Sequence, residues 1–540
     1  MEDTQGCSEL LHLPDACLMA VLQCCADDTR SMFSAARAHS RLHQAAQEVL
    51  SSIQIYRIQQ QQQIRGLLLY VSQHGQKIDS LEVGAADNRL LSFLELPSDL
   101  QLRKLDLSNF TVQLQPGSGF QGVVRPGVPL KQLRLQGCVL HDSAEGLAAA
   151  LALLPDLQHL SISPAQRVSS LGFPIKALLG LQQLTYLELA GIIVRNPANE
   201  GPALQPLQAL TRLVHLRLHI KHQQAAVYSS MVSASQHLTR LELTGEVVLA
   251  HGVLATLPQL QHLRVTLFNR ADRTLRDQQG LHQRAWQQLQ GQLSQLQALQ
   301  QLTHLAVRCD SRREGNPPAA AFSALTASSK LQHLDISKCR LPSDAWQHVF
   351  PTGRQLPELQ YLDISDVQTL PRGPAAAPEA TRLVSCCPGL QCLDMCNLQF
   401  SAEFLTPLQG LSGLHTLRLG SRIQEEGGPP PVEAVAQLAG LRELTLSFPG
   451  SGGGLLQLTQ LQQLTLLEFE FAGTVVRTFS CLTQQVGSLR IGLHVSTCKP
   501  GAAFVKVCMC MLLLLCSHVL SLCWTLRKCQ TAPAWQLRQS

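Results

Sequence analysis

The stretches LQHLDISKCRL at Leu331–Leu341 and LQYLDIS at Leu359–Ser365 are near copies of one phrase. It returns as LQHLSI at Leu157, LQHLRV at Leu260 and LQCLDM at Leu390. Written as apolar-x-x-Leu-x-apolar, the phrase starts at Ile78, Leu102, Leu130, Leu157, Leu184, Leu213, Leu238, Leu260, Leu302, Leu331, Leu359, Leu390, Leu414, Leu441, Leu464 and Val486. These starts lie about 27 residues apart on average, a period that marks an array of small units. The one wide gap runs from Leu260 to Leu302. Its apolar residues Leu281, Trp286, Leu289, Leu293, Leu296 and Leu299 are spaced closer to helical than to strand period, which predicts a longer helical arm over 270–301.

Within each unit the alternating x-Leu-x-Leu segment is a short strand. Its leucines face one side and the intervening residues the other. The rest of the unit is often helical, as in DSAEGLAAALALLP, where Asp142 followed by Glu145 reads as a helix start and Pro155 ends the arm. The same punctuation recurs in LLPDLQHL, TLPQLQHL and QLPELQYL. One unit cannot bury its own leucines, so the units stack, pair their strands and share a continuous core. The expected fold class is α/β: a curved, horseshoe-shaped solenoid with strands inside and helices or loops outside. Over residues 77–495, about 16 units, the pattern resembles the leucine-rich-repeat family. Cys138 in LRLQGCVL and Cys339 in LDISKCRL match the slot where that family places a buried Asn or Cys.

A chain of 540 residues has ample length for such an array, which escapes the usual domain-size limit by growing in one dimension. Its net charge of +5 is small for that length and does not point to nucleic acid as a partner. The opening MEDTQGCSEL is acidic and has no apolar signal core, so the 18 cysteines read as reduced cytosolic thiols in a cytoplasmic protein.

The segment over residues 10–48 follows a different pattern. Leu13, Leu18, Val21, Leu22 and Cys25 are spaced for one helical face, and Met32, Phe33, Ala35, Ala36 and Leu42 continue the apolar pattern in a second segment. From the residues alone this is a small helical domain, which could also cap the open end of the array. A Gln-rich linker over 49–76, also expected to be helical, leads into the repeats. Leu13, Pro14, Leu18, Val21, Leu22, Cys25, Asp28, Met32, Ala35, Ala36, Arg37 and Leu42 fall in register with the F-box pattern, and the segment resembles an F-box. Thr29 stands where a leucine is usual and His39 where a tryptophan is usual. The resemblance implies docking on a Skp-type adaptor and, through it, a cullin ubiquitin ligase, with Leu13, Pro14, Leu18 and Leu22 in the contact. It also implies a protein substrate held on the concave face of the repeats. The chain itself would be no enzyme, and no cofactor or metal is implied. The other reading is a leucine-rich-repeat scaffold, cytoskeletal or axonemal, whose helices only cap the solenoid.

Because the phrase fixes which positions leave the core, its third and fifth slots read as columns. The third holds Lys104, Gln132, His159, Tyr186, His215, Arg240, His262, His304, His333 and Tyr361. The fifth holds Asp106, Arg134, Ser161, Glu188, Arg217, Glu242, Arg264, Ala306, Asp335, Asp363, Asp394 and Arg418. For partner binding the candidates are His159, Tyr186, His215, Arg217, His262, Arg264, His304, His333, Asp335, Tyr361, Asp363 and Asp394. Three acids on successive strands would repel one another unless a cation or a basic partner neutralises them. Repeats copied from one ancestor would share such letters without any partner. The histidines titrate near neutrality, so partner affinity is expected to respond to pH.

Two local motifs fail on context. Gly117, Gly119 and Gly122 match a nucleotide-binding glycine loop in letters, but they sit among Pro116, Pro126 and Pro129 in an outer arm, where a surface loop is expected. Cys386, Cys387, Cys392 and Cys396 lack the second ligand pair of a zinc site. Residues 496–540 form an apolar, Cys-rich tail. The run over 504–524 is barely long enough to span a bilayer and is followed by Arg527 and Lys528. A tail anchor, a cap on the open end of the solenoid and non-native coding sequence all remain open for it.

Overall fold

The computed structural model describes residues 17–18, 40, 42, 51–58, 61–85, 100–112, 127–140, 144–164, 172–190, 193–195, 210–220, 225–245, 249–250, 252–268, 291, 293–310, 318–339, 341–342, 344–367, 376–398, 402–420, 432–447, 458, 460–471, 474–479 and 494–495. The chain divides into two compact bodies, residues 1–305 and 306–540.

The amino-terminal body is a ladder of short strands. These are β1 (Ser52–Ile58), β2 (Ser80–Ala85), β3 (Lys104–Ser108), β4 (Thr111–Val112), β5 (Gln132–Leu140), β6 (His159–Pro164), β7 (Gly172–Pro174), β8 (Tyr186–Leu189), β9 (Ile193–Arg195), β10 (His215–Ile220), β11 (Arg240–Gly245) and β12 (His262–Phe268). β13 (His304–Asp310) crosses the division. The order β1, β2, β3, β5, β6, β8, β10, β11, β12 is parallel throughout, one strand per repeat. β4 adds a short parallel pairing to the end of β5, and β7 pairs with β9 in a separate two-stranded piece.

Parallel neighbours need a crossover, and the arms supply it. They contain α1 (Gln61–His74), α2 (Ala144–Ala152) and α3 (Ala225–Ala234), with single 3-10 turns at Ile175–Leu178, Leu254–Thr256 and Leu296–Ala298. The linker expected to be helical over 49–76 therefore begins on a strand. β1 precedes α1 and pairs in parallel with β2, so among the described residues the ladder begins one strand before Ile78. Ile53 and Ile58 are buried. The leucine spacing that reveals the later strands is absent there, and isoleucines do the same work. The arm expected over 270–301 is described only at its end, as helical residues and the turn at Leu296–Ala298.

The carboxy-terminal body repeats the plan with β14 (His333–Asp335), β15 (Tyr361–Asp363), β16 (Cys392–Met395), β17 (Thr416–Gly420), β18 (Glu443–Ser447) and β19 (Leu466–Phe471). β14 to β19 pair in parallel. Its arms carry α4 (Ala345–Val349), α5 (Ala376–Cys386), α6 (Ala402–Leu405) and α7 (Val432–Ala436), with 3-10 turns at Ala319–Thr326 and Thr406–Gly410. The parallel run ends at β20 (Thr474–Phe479), which lies antiparallel to β19 and pairs with β21 (His494–Val495). The unit expected at Val486 and the whole tail over 496–540 lie outside the described residues, as do Gly117, Gly119 and Gly122. No helix among the described residues is long and apolar enough to cross a membrane.

Three local devices repeat in both bodies. First, the residue opening most phrases donates its N–H to the carbonyl three positions back, as Leu157 to Leu154, Leu260 to Leu257, Leu359 to Leu356 and Leu390 to Cys387. Pro155, Pro258, Pro357 and Pro388 occupy the second position of that turn, where a fixed φ fits and no N–H is needed. Second, the carbonyl just before each strand accepts two successive N–H groups from the next. Lys131 O takes Gln158 and His159, Gln158 O takes Thr185 and Tyr186, and Gln360 O takes Gln391 and Cys392. That double bond fixes the register. Third, the chain leaves the strand through a left-handed residue at one fixed place: Asn109 (φ 65°), Gly137 (φ 61°), Lys338 (φ 61°), Asp366 (φ 59°) and Asn397 (φ 59°).

The residue after each of these turns back into the core. Cys138 and Cys339, both buried, donate their thiols to Leu107 O at 3.3 Å and Val307 O at 3.0 Å. The other repeats fill the same slot with the buried apolar side chains Phe110, Val367 and Leu398. The strand leucines, from Leu105 and Leu107 to Leu444 and Leu446, are sealed from solvent. Burying each contributes about 1.5–3 kcal/mol, collected only when repeats stack.

Candidate protein-interaction face

The strand side chains not committed to the core form two rows across each body. In the amino-terminal body the register runs Lys104, Gln132, His159, Tyr186, His215, Arg240, His262 in one row and Asp106, Arg134, Ser161, Glu188, Arg217, Glu242, Arg264 in the other. In the carboxy-terminal body it runs His333, Tyr361, Cys392, Thr416 beside Asp335, Asp363, Asp394, Arg418. These are the columns expected from the repeat phrase. One strand per repeat, in register, with inward leucines and a Cys slot bonded to the preceding strand, decides the fold. It is a leucine-rich-repeat fold.

No family model matches the chain, and no curated protein matches it in sequence. Among solved structures it is similar to an internalin of Listeria monocytogenes at 15% identity, over 71% of this chain and 92% of that one, with a TM-score of 0.36. It is also similar to a leucine-rich-repeat protein of Leptospira interrogans at 16% identity, over 80% of this chain and 92% of that one, with a TM-score of 0.39.

The first row is a set of ring stacks. Strands in register hold equivalent side chains face to face, so flat rings pack on one another. His159 lies on Tyr186 with centroids 3.8 Å apart and planes within 4°, and Tyr186 meets His215 edge-on at 4.5 Å. His262 stacks on His304 at 4.0 Å, and His333 on Tyr361 at 4.1 Å with planes within 2°. Burial between neighbours, aided by Arg134, lowers the His159 imidazole to about 4. Burial, then the Glu188 charge, raises the Tyr186 phenol to about 12. The His262 and His304 imidazoles are also lowered, first by burial; His304 and Arg240 then act on His262, and Arg240 acts on His304. The lowered imidazoles of His159, His262 and His304 are neutral at neutral pH.

The second row is not the open charged strip its letters suggest. In the amino-terminal body Glu188 and Glu242 are 6% and 5% exposed and lie beneath arginines. Arg217 reaches both, at 3.3 Å and 3.6 Å, and Arg240 lies 2.6 Å from Glu242. Ser161 and Tyr186 donate to Glu188 at 2.7 Å and 3.0 Å. His215, 3.4 Å away, leads in holding the Glu242 carboxyl down to about 2, with Arg240 and Arg217 adding to it against burial. Arg134 pairs with Asp106 at 3.4 Å, and Lys104 with Glu82.

In the carboxy-terminal body Asp335, Asp363 and Asp394 were expected to form a solvent-facing acidic strip. They are 2%, 7% and 8% exposed instead. Each carboxylate accepts the N–H two residues on: Ser337 at 2.9 Å, Ser365 at 2.9 Å and Cys396 at 3.0 Å. The strands are so short that the chain turns at once, and the acid bridges that turn. Arg308 pairs with Asp335 at 2.7 Å and Arg418 with Asp394 at 3.6 Å, so the chain itself answers the repulsion at both ends of the row. Asp363, between the other two, has its carboxyl raised first by burial and further by both neighbours, against the Ser365 bonds that lower it. Among the described residues no group of His, Cys, Asp and Glu is arranged to hold a metal ion.

Of the adaptor candidates, Leu13, Pro14 and Leu22 lie outside the described residues. Leu18 is helical and 1% exposed, which makes it a packed side chain rather than an open one. Among the partner-binding candidates, Arg217 and Arg264 are exposed and the rings are half-buried. Glu188, Glu242 and Arg240 were in the columns but not singled out, although they anchor the arginines. Arg308 lies off both columns. Its pairing with Asp335 comes from a strand that runs past the slots the phrase defines.

Proposed function

We propose that the chain is a non-enzymatic protein-interaction subunit, the substrate-recognition component of a cullin-type ubiquitin ligase, acting in the cytoplasm. A Skp-type adaptor would engage the amino-terminal helices, and a protein target would lie on the strand face of the repeats. The observation that supports target binding is the face itself. Its side chains vary from repeat to repeat while the core leucines do not, and its arginines and ring edges reach solvent. Variable polar positions on a rigid ladder are where function is carried in a repeat protein. The F-box register of Leu13, Pro14, Leu18 and Leu22 supports the adaptor half.

Affinity purification of the full chain from cells, followed by immunoblotting for the adaptor and for a cullin, tests this reading. Recovery of both is expected. A purified chain that captures other proteins without the adaptor would leave a scaffold, cytoskeletal or axonemal, in its place. The buried position of Leu18 favours that second reading, because a packed leucine is not free to enter a partner's groove.

A further inference from the structure

On the amino-terminal body's strand face, β11 and β12 together carry two arginines, Arg240 and Arg264, against one carboxylate, Glu242. Arg240 and Arg264 stand on neighbouring strands, offset by one slot, with the His262–His304 stack beside them. Arg240 is tied to Glu242. Arg264 is exposed and forms no ion pair among the described residues. Glu242 is the carboxylate opposite Arg264 in register, and it is already shared among Arg217, Arg240 and His215. A cation left over beside two ring edges that can each gain a proton forms a surface complementary to acid.

We infer that Arg240, His262, Arg264 and His304 form the docking strip for an acidic, Glu- or Asp-rich segment of the protein partner. The inference rests on the reading that this face takes a protein. A carboxylate fits Arg264 directly, and a second one between the His262 and His304 edges would draw a proton onto the stack. The groups facing His262 are His304 from β13, Arg240 and Glu242 from β11, and His215 from β10, with Arg264 on its own strand. All but Glu242 disfavour or do not assist a positive imidazole, so an arriving carboxylate supplies what the ring lacks. Binding is therefore expected to tighten as pH falls.

The test uses the full chain and a fluorescein-labelled glutamate homopeptide, read by anisotropy at low salt, with a lysine homopeptide and an oligothymidylate as comparisons. The glutamate peptide should bind alone among the three, and more tightly at about pH 6 than at about pH 7.5. Arg264→Glu should weaken it about tenfold by turning one favourable pairing into a repulsion, while Arg264→Lys retains it. Arg264→Gln, which leaves the exposed position neutral, should fall between, with an unchanged melting temperature. No binding, equal binding by Arg264→Glu, or oligothymidylate binding as well as the glutamate peptide would each overturn the assignment. Partner capture by the full chain alongside any of these outcomes would retain the interaction reading and remove only this strip.

Discussion

Lys338 shows how much a single position carries. It sits at φ 61° where Gly137 serves another repeat, and its N–H bonds to Ser365 O at 2.8 Å. A left-handed L-residue costs about 1–2 kcal/mol, and a β-branched one more. Lys338→Val should lower the melting temperature by the equivalent of about 1–2 kcal/mol, whereas Lys338→Gly should not lower it; equal losses would show that φ is not the reason. Asp363 makes a sharper case. Its carboxyl is raised by burial and by Asp335 and Asp394, so its charge disfavours the folded state at neutral pH, while its oxygen holds the Ser365 N–H. Asp363→Asn keeps the acceptor and drops the charge, so it should raise the melting temperature at neutral pH. Asp363→Ala should lower it by about 1 kcal/mol through the lost turn bond. A stabilised alanine variant would mean that the turn contributes nothing.

The elements act through their register. The stack of His159 on Tyr186, fixed by β6 and β8, keeps an imidazole at about 4 that would titrate near 6.5 in an unfolded chain. Between those values the unfolded state binds more protons, so stability should fall as pH drops from 6.5 to 4. Glu242 then takes over: its folded value of about 2 lies below 4.5, so its contribution is present above pH 4.5 and lost as pH falls towards 2. Melting temperature measured against pH should show both descents, and His159→Phe should shrink the upper one, to which the lowered His262 and His304 also contribute, while leaving the lower one in place. The turn joining α5 to β16 is equally constrained. A Cβ on Gly389 would meet the carbonyl of Pro357 in the neighbouring repeat, and backbone cannot swing aside as a side chain does. Gly389→Ala should destabilise by about 1–3 kcal/mol, measurable by denaturant titration; a neutral result would mean that the repeats slide apart easily.

At the scale of the molecule, charge on the strand face differs between the two bodies. Arginines and carboxylates alternate across β5 to β12, while acids outnumber arginines across β14 to β19. The parallel ladder, its core leucines and the two columns were legible in the sequence, because a fixed period fixes both register and facing. The burial of Cys138 and Cys339 was implied by the leucine-rich-repeat resemblance, and their bonds to the preceding strand's carbonyls were not. β1 was not legible, since Ile53 and Ile58 stand in place of the leucine phrase. Nor was the antiparallel turn to β20 that ends the parallel run. The sequence by itself determined which residues leave the core and in what order they line up, through backbone periodicity alone. Only the tertiary structure decided what those residues are for. Whether an acid such as Asp335 or Glu242 meets solvent, its own turn or an arginine depends on where the chain bends after each strand, and on which long side chains from neighbouring repeats fold over it. Contacts of that kind are set by distance in space, which no spacing along the chain contains.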